Sequence, residues 1–474
     1  MKHLILYLAI IGLSVHSFAE TKKPNIILVM SDDQGWGQVG YNNHPLLKTP
    51  HLDAMAEGGL RLNRFYAAGP VCSPTRASIL TGRTHVRTGV PSHGNNLCLQ
   101  EKTLPQALKL AGYQTAHFGK WHLNGVRGPG VPIPKDDPNH PGHYGFDFWL
   151  TVTNYFDLDP LMSRQGEFEA FKGDSSDIIV DEALKFIKAH LADPFFACIW
   201  YGSPHSPMLA LDQDQVTKAK GKLAQHLGEI VAIDRSVGAL RKGLREMGIE
   251  KRTIIWYCSD NGGLKLDPNS AGGLKGVKGK IYEGGIRVPA IIEWPGTIQP
   301  AISDFPASTM DMMPTFVDLL DLSEDSMLAV HDGESIKDLL FGKNPERDHA
   351  IPFYFQKSAA FIEGDYKLLT TDVSSGQWQL YDLKKDPAEE KNLASEWPER
   401  FTSMKDEALA TLESIKNSAL GKDYPEGKII QKPRKDFWHE LERYQAHFDA
   451  FKKLDPNFSI KETKKDRAKN SEKQ

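Results

Sequence analysis

The chain is short of cysteine: its 474 residues include four, Cys72, Cys98, Cys198 and Cys258. Two disulfides are the most that could form, and Cys198 (FFACIW) and Cys258 (IIWYCSD) lie inside apolar, strand-like runs that read as buried thiols. A disulfide-stapled scaffold is therefore excluded. Stability has to come from a packed core, with a bound metal as a further source. The chain also lacks an excess of either charge. Its 57 Lys and Arg oppose 61 Asp and Glu, a formal net charge of −4, which gives no reason to expect nucleic acid as a partner. It shows no internal repeat. The apolar run Leu4 to Val15 is too short to span a membrane, and no second span follows. With Lys2 before it and Ser17-Phe18-Ala19 after it, residues 1–19 read as a signal peptide cleaved after Ala19. No cysteine stands near that point, so no lipid anchor is expected there. The expected mature protein is exported, periplasmic or secreted, without a stable membrane anchor.

What is present is an alternation of strands and helices. Asn25 to Met30 (NIILVM) reads as a strand buried on both faces and Thr253 to Ser259 as another buried strand; Tyr113 to Phe118, Pro194 to Tyr201 and Val288 to Glu293 read as further strands. Between them lie helical patterns at Pro50 to Gly58, Leu104 to Ala111, Asp177 to His190 and Leu223 to Met247. The stretch from Asn124 to about Pro160, rich in Pro, Gly, His and Asp, reads as one long loop walling a pocket. The pattern predicts an α/β fold, a large mostly parallel sheet sandwiched between helices. Beyond about Leu340 the runs shorten and alternate, which predicts a smaller C-terminal α+β domain. It would hold an antiparallel sheet (Phe353 to Asp382), a helix from Pro398 to Ser418 and a second from Asp436 to Lys453. The expected boundaries are 20–345 for the larger domain and 346–456 for the smaller. Residues 457–474 form a charged tail expected to be disordered.

Four of the strands end in polar clusters: Asp32-Asp33, Lys120 and His122, His205, and Asp260-Asn261. Ligands of open α/β sheets bind outside the carboxyl ends of the strands, so parallel strands would deliver all four clusters to one edge. Each cluster alone has a plain alternative, since Asp-Asp and Asn-Gly are common turn dipeptides and a lone Lys or His is usually surface or structure. Together they make a site of hard oxygen donors, which suits Ca²⁺ or Mg²⁺ better than zinc. Val71 to Arg83 adds a helix, with Ser73 as a plausible N-cap, Pro74 at its first position and Gly82 at its end. Cys72 then stands at a helix N-terminus beside Arg76, where a thiol would be acidified and an anion would be held.

These residues carry a resemblance. Cys72-Ser73-Pro74-Thr75-Arg76 followed by Ala-Ser-Ile-Leu-Thr-Gly-Arg resembles the signature of the formylglycine-dependent (type I) sulfatases of the alkaline phosphatase superfamily. The likeness continues through Asp32-Asp33, Gly119-Lys120-Trp121-His122, Pro204-His205, Asp260-Asn261-Gly262, Glu283 to Pro289, and Leu380-Tyr381-Asp382-Leu383. It implies an alkaline phosphatase-like fold and an arylsulfatase-like sulfuric ester hydrolase. A maturation enzyme would oxidise Cys72 to formylglycine (3-oxoalanine), whose hydrate attacks the sulfur of a sulfate ester. By the same resemblance, Asp32, Asp33, Asp260 and Asn261, with residue 72, hold Ca²⁺. Arg76 and Lys120 steady the nucleophile, and His122 takes the proton that lets sulfate leave. His205 and Lys278 bind sulfate and protonate the leaving alcohol; Lys278 is chosen over Lys275 and Lys280 by its spacing from Glu283-Gly284-Gly285. The role of Gln34 is left open.

The resemblance and the export signal together point to a sulfated saccharide as substrate. His143 and Asn154 are the pocket candidates from the long loop, with His140, Tyr144 and Tyr155 beside them and Trp121 or Trp200 for stacking on a sugar. Two other readings remain open on the same scaffold: a phosphodiester or phosphonate hydrolase, and an inactive protein that binds sulfated glycans.

Overall fold

The computed structural model describes residues 23–458; the signal-peptide expectation and most of the charged tail lie outside them. The elements that build the site are, in chain order, strand β1 (Asn25–Ser31), helix α1 (Cys72–Thr81), strand β2 (Gln114–Lys120), helix α2 (Ser175–Ala189), strand β3 (Phe195–Trp200), helix α3 (Gly221–Glu246) and strand β4 (Thr253–Ser259). A ten-stranded sheet runs Ala301–Ser303, Leu60–Leu62, Ala290–Glu293, β4, β1, β3, β2, Phe148–Val152, Leu161–Arg164, Glu167–Ala170. Its five central strands are parallel: β1 pairs with β4 and β3, and β2 pairs with β3 and Phe148–Val152. Every residue of β1, β3 and β4 is buried, because helices cover both faces. One face packs Ile26, Leu28, Trp200 and Trp256 with Ile79, Leu80 and Phe316; the other packs Ile27, Val29 and Ile199 with Ile179, Ile233 and Leu240. This is the large, mostly parallel sheet between helices that the sequence predicts.

A second, four-stranded antiparallel sheet follows, made by Ile351–Phe355, Ser358–Glu363, Tyr366–Thr370 and Gln379–Asp382. Helix Pro398–Ala419 lays Met404, Ala408, Leu412 and Ile415 on Phe361, Leu368 and Leu380 of that sheet. All four cysteines are free and buried.

Two expectations are corrected. The stretch from Asn124 to Pro160 is not one long loop. Phe148–Val152 inside it is the fifth parallel strand, and Leu161–Arg164 and Glu167–Ala170 extend the sheet beyond it. The five apolar-rich residues Phe-Trp-Leu-Thr-Val were obscured by the Pro, Gly and Asp that flank them. The predicted helix from Asp436 to Lys453 is also broken. Asp436–Phe437 is a short strand paired with Val126–Arg127, Trp438–Glu440 is a 3-10 turn, and Glu442–Gln445 and Phe448–Leu454 are separate short helices. Trp438 and Tyr444 are each buried against Val126 and Val131, and this packing outweighs the helical spacing.

One glycine decides how β2 reaches the site. Gly119 has φ +97°, and a Cβ built there would lie 2.0 Å from the carbonyl oxygen of Trp200 on the neighbouring strand. Only glycine tolerates both the conformation and the contact. Gly119→Ala should therefore destabilise the fold by roughly 2–4 kcal/mol and move Lys120. Thermal unfolding checks this; an unchanged midpoint contradicts it.

Candidate active site

Each central strand ends at the same edge and turns a polar residue inward. After β1 the chain enters Asp32 and Asp33, the latter in the left-handed region at φ 67°. After β4 come Asp260 and Asn261, after β2 come Lys120 and His122, and the turn after β3 carries His205. Helix α1 points its first turn at the same place. Carboxylate oxygens of Asp32, Asp33 and Asp260 and the sulfur of Cys72 all lie within 4.8 Å of one another, and all four residues are buried.

Buried carboxylates this close repel, and three cations answer them. The Arg76 guanidinium donates to Asp260 Oδ2 at 2.8 Å, lies 3.7 Å from Asp32, and donates to the Lys120 carbonyl at 2.8 Å. Its plane sits 5.3 Å from the Trp200 ring. Lys120 forms a buried ion pair with Asp32. Lys278 reaches Asp33 Oδ1 at 2.5 Å and Cys72 Sγ at 3.7 Å. Burial alone would discourage ionisation of Asp32, but Lys120, His205 and Arg76 outweigh it and hold its carboxyl well below the usual range. Asp260 goes the other way: burial and the neighbouring Asp32 push it up to about 7, against Arg76. Lys278 is held protonated, since Asp33 and Cys72 overcome the cost of its burial.

Two local expectations for helix α1 change. The thiol is not acidified; burial, with Asp32 Oδ1 at 3.5 Å, pushes Cys72 up to about 12. The charge of Arg76 is already engaged by Asp260, and full burial outweighs the helix end. Ser73 is not the N-cap either, for the helix begins at Cys72 with Val71 in the cap position. The Ser73 hydroxyl instead donates to the His122 carbonyl and accepts the Gly94 N–H, each at 2.7 Å. It thereby fixes His122, which has φ 56° and two buried ring nitrogens without hydrogen-bond partners. Gly82 ends the helix in the left-handed region, as expected.

His205 lies at the rim with its Nε2 3.8 Å from Asp33 Oδ2 and its Nδ1 against the Ser206 carbonyl at 2.8 Å. Tyr155 stacks on its ring at 4.7 Å. Lys278 is distinguished from Lys275 by geometry as well as by spacing. Lys275 donates to the Glu389 carbonyl at 2.9 Å and packs over Tyr282, away from Cys72. Gln34 is occupied: its Oε1 accepts from Ser31 at 2.8 Å and Tyr257 at 2.5 Å, and its Nε2 donates to the Gln38 carbonyl.

The pocket-wall candidates divide. His143 is exposed on the turn Pro141–Tyr144, which packs on Thr103 and on the Thr115 end of β2, opposite to the end that carries Lys120. It is removed from the site, and His140 with it, stacked on Trp149. Trp121 and Trp200 are fully buried against each other and present no face to a sugar. Tyr144 is buried, its hydroxyl donating to the Leu97 carbonyl. Asn154 stays at the correct edge, donating to the Gly128 carbonyl at 2.7 Å, with its Oδ1 buried and unpartnered. A support that sequence reasoning missed is the buried triad of Lys367, Glu283 and Glu389, with Lys–Glu contacts of 3.0 and 2.9 Å. It ties the small sheet to the loop that carries Lys278, and nothing in the sequence around Lys367 marks it.

A nucleophile position on a helix end, facing buried carboxylates and ringed by Arg, Lys and His, defines a hydrolase of oxyanion esters. The chain belongs to the sulfatase family: the Sulfatase family profile matches residues 24–322, and the profile described as N-sulphoglucosamine sulphohydrolase, C-terminal, matches residues 277–417. It is 31% identical over 404 residues to N-acetylgalactosamine-6-sulfatase of Mus musculus, covering 77% of this chain and 75% of that protein. Among solved structures it resembles Ps i-CgsB in complex with k-i-k-neocarrahexaose, with 25% identity, TM-score 0.74, and coverage of 93% and 99% of the two chains. The fold is shared at 22% identity, TM-score 0.67 and coverage of 83% and 98% with BT4656 in complex with its substrate D-glucosamine-2-N,6-O-disulfate.

The residues present fit a hard divalent cation. Asp32, Asp33 and Asp260 offer carboxylate oxygens, and Asn261 Oδ1 is buried without a partner while its amide donates to Asp33 at 2.8 Å. No softer ligand than the Cys72 sulfur belongs to the cluster. A cation that binds the folded state alone should raise the unfolding midpoint, by about 2.7 kcal/mol of stabilisation at a hundredfold excess over its dissociation constant. Calorimetry with and without Ca²⁺ or Mg²⁺ checks this. Asp33→Asn should lose the response, and a midpoint that ignores both cations contradicts the fit.

Proposed function

We propose that the protein hydrolyses sulfate esters on a sulfated carbohydrate, with Cys72 converted to formylglycine by a maturation enzyme and with Ca²⁺ bound beside it. The observation that supports this most is the arrangement around Cys72, in which Lys278 and Asp32 flank its sulfur at 3.7 and 3.5 Å on the strand-end edge. Asp32, Asp33, Asp260 and Asn261 would hold the Ca²⁺, which supplies positive charge to the sulfate oxygens. With residue 72 as formylglycine, its hydrate would supply a hydroxyl nucleophile toward the sulfate ester and a second ionisable hydroxyl.

The chain's own side chains do the rest. Arg76 and Lys120, both fully buried, orient residue 72 and balance the carboxylates. Lys278 and His205 bind the sulfate, and His205 at the rim protonates the departing alcohol as it exits toward solvent. His122 is kept neutral by burial and by Lys120 and Arg76, so its unpartnered ring can accept the proton released at residue 72. Asn154 and Tyr155 would line the sugar pocket. The reading includes export, with residues 1–19 as its signal.

Three experiments test the proposal. Peptide mass spectrometry of protein from its native host should show an aldehyde in place of the Cys72 thiol; an intact thiol overturns the mechanism. Assays of an aryl sulfate and an aryl phosphodiester should favour the sulfate, and a strong preference for phosphorus overturns the substrate class. Lys278→Ala should lower kcat by about 10²–10³ while Lys275→Ala changes it no more than a few-fold. Equal effects would contradict the assignment of Lys278.

A further inference from the structure

His205 lies at the rim, yet the backbone that carries it is held from beneath. The Ser203 carbonyl accepts the Asp32 N–H at 2.9 Å, and the His205 N–H donates to the Gly202 carbonyl at 3.3 Å. The Pro204 carbonyl belongs to the same peptide unit as the His205 N–H. It faces Nδ1 of His226, in the second turn of helix α3, at 3.0 Å. His226 is fully buried, and the mechanism above gives it no part.

The hydrogen bonds around His226 admit one placement of its proton. Gln38 Oε1 accepts the Gly35 N–H at 2.9 Å, so the other arm of that amide is the nitrogen. Gln38 Nε2 donates to Asp267 Oδ2 at 2.8 Å and lies 2.9 Å from His226 Nε2. An amide nitrogen has only hydrogens to offer, so His226 Nε2 accepts and Nδ1 carries the proton that reaches the Pro204 carbonyl. Asp267 is secured in turn. The Asn269 N–H donates to it at 2.9 Å, and so does His44 Nε2 at 2.9 Å, because His44 Nδ1 is occupied in accepting the Leu47 N–H at 2.9 Å. Gln38 is tied to the end of β1 as well, its carbonyl accepting from Gln34 Nε2 at 2.8 Å. Burial pushes His226 below its ordinary value, which keeps the ring neutral. A phenyl ring would fill the same volume; the fixed donor is what histidine adds here.

We propose that His226 is a positioning residue for His205: a neutral imidazole, with its tautomer set by Gln38 and Asp267, that pins the Pro204–His205 peptide and so aims the His205 ring at the departing alcohol. The inference rests on the reading of His205 as the acid that protonates that alcohol, and adds what holds it in place. A rotation of this peptide would carry His205 Nε2 away from its position 3.8 Å from Asp33 Oδ2, and a misplaced acid loses rate.

Kinetics of the mature, Ca²⁺-loaded protein test it with phenyl sulfates graded from 4-nitrophenyl, whose phenolate leaves unaided, to 4-methoxyphenyl, whose phenolate needs the proton. The quantity read is kcat/KM, which covers the step in which the alcohol departs. His226→Phe should cost no more than about threefold with the nitrophenyl ester and at least about tenfold with the methoxyphenyl ester, a pattern that His205→Ala shows more strongly. Added to His205→Ala, His226→Phe should cost no more than about twofold further, since both act through one group. His226→Asn, whose Nδ2 takes the place of Nδ1, should stay within about threefold of the unmutated chain on the methoxyphenyl ester. Equal loss on all esters, additive losses in the double variant, or an asparagine no better than phenylalanine overturns the inference. His226→Leu replaces the phenylalanine variant if that chain fails to fold. A chain that hydrolyses none of the esters counts against the hydrolase reading. The crystal structure of His226→Phe then decides the inference, which expects the 204–205 peptide turned and the His205 ring displaced; an unmoved turn overturns it.

Discussion

The structure depends on the ion-pair network beneath Cys72. Asp32, Asp33 and Asp260 are brought within a few ångströms of one another by the carboxyl ends of β1 and β4, in a place water does not reach. Such a cluster survives only because Arg76, Lys120 and Lys278 are delivered to it from a helix, a third strand and a loop. Loss of one partner of a fully buried pair costs roughly 3–5 kcal/mol, far more than an exposed pair contributes. The network is thus both the site and a structural joint. Arg76 shows the double role plainly, with one hand on Asp260 and the other on the Lys120 carbonyl.

The smaller sheet belongs to the same joint. Lys367 reaches from it to Glu283 and Glu389, while Glu389 accepts the Glu283 N–H at 2.7 Å and Tyr66 donates to Glu283 at 3.0 Å. The loop before Glu283 is held at three points: Lys278 N–H on the Gly263 carbonyl, Gly279 N–H on Pro70 and Gly284 N–H on Lys275. Lys278 therefore arrives at Asp33 on a fixed backbone. A lysine beyond position 360 helps to place a lysine at 278. The later chain thus shapes a site whose acidic residues come from the earlier one.

How much of this is legible in the sequence follows from which forces act locally. Strands β1, β3 and β4 are continuous apolar runs that stop at Asp, His or Asn, so their burial and the edge they serve can be read directly. Phe148–Val152 is equally buried in part, yet its neighbours are turn formers and the run is short, so composition conceals it. Side-chain direction is less legible still. Trp121 and Trp200 look like sugar platforms until the sheet stacks them against each other, and His143 looks like a pocket residue until its turn packs at the far end of β2. The Cys72 thiol is the sharpest case: helix end and Arg76 both argue for acidity, and burial with Asp32 reverses them. Ser73 and Lys367 leave no local signal because their partners lie tens of residues away.

The central claim is that the strand ends form one anion- and cation-binding centre at residue 72. A crystal structure of the mature protein grown with Ca²⁺ and a slowly cleaved sulfate ester tests it most directly. The account predicts calcium density bounded by Asp32, Asp33, Asp260 and Asn261, with the sulfate lying between residue 72, Lys278 and His205. Calcium or sulfate bound elsewhere, with the Lys120–Asp32 and Lys278–Asp33 pairs undisturbed, would contradict it.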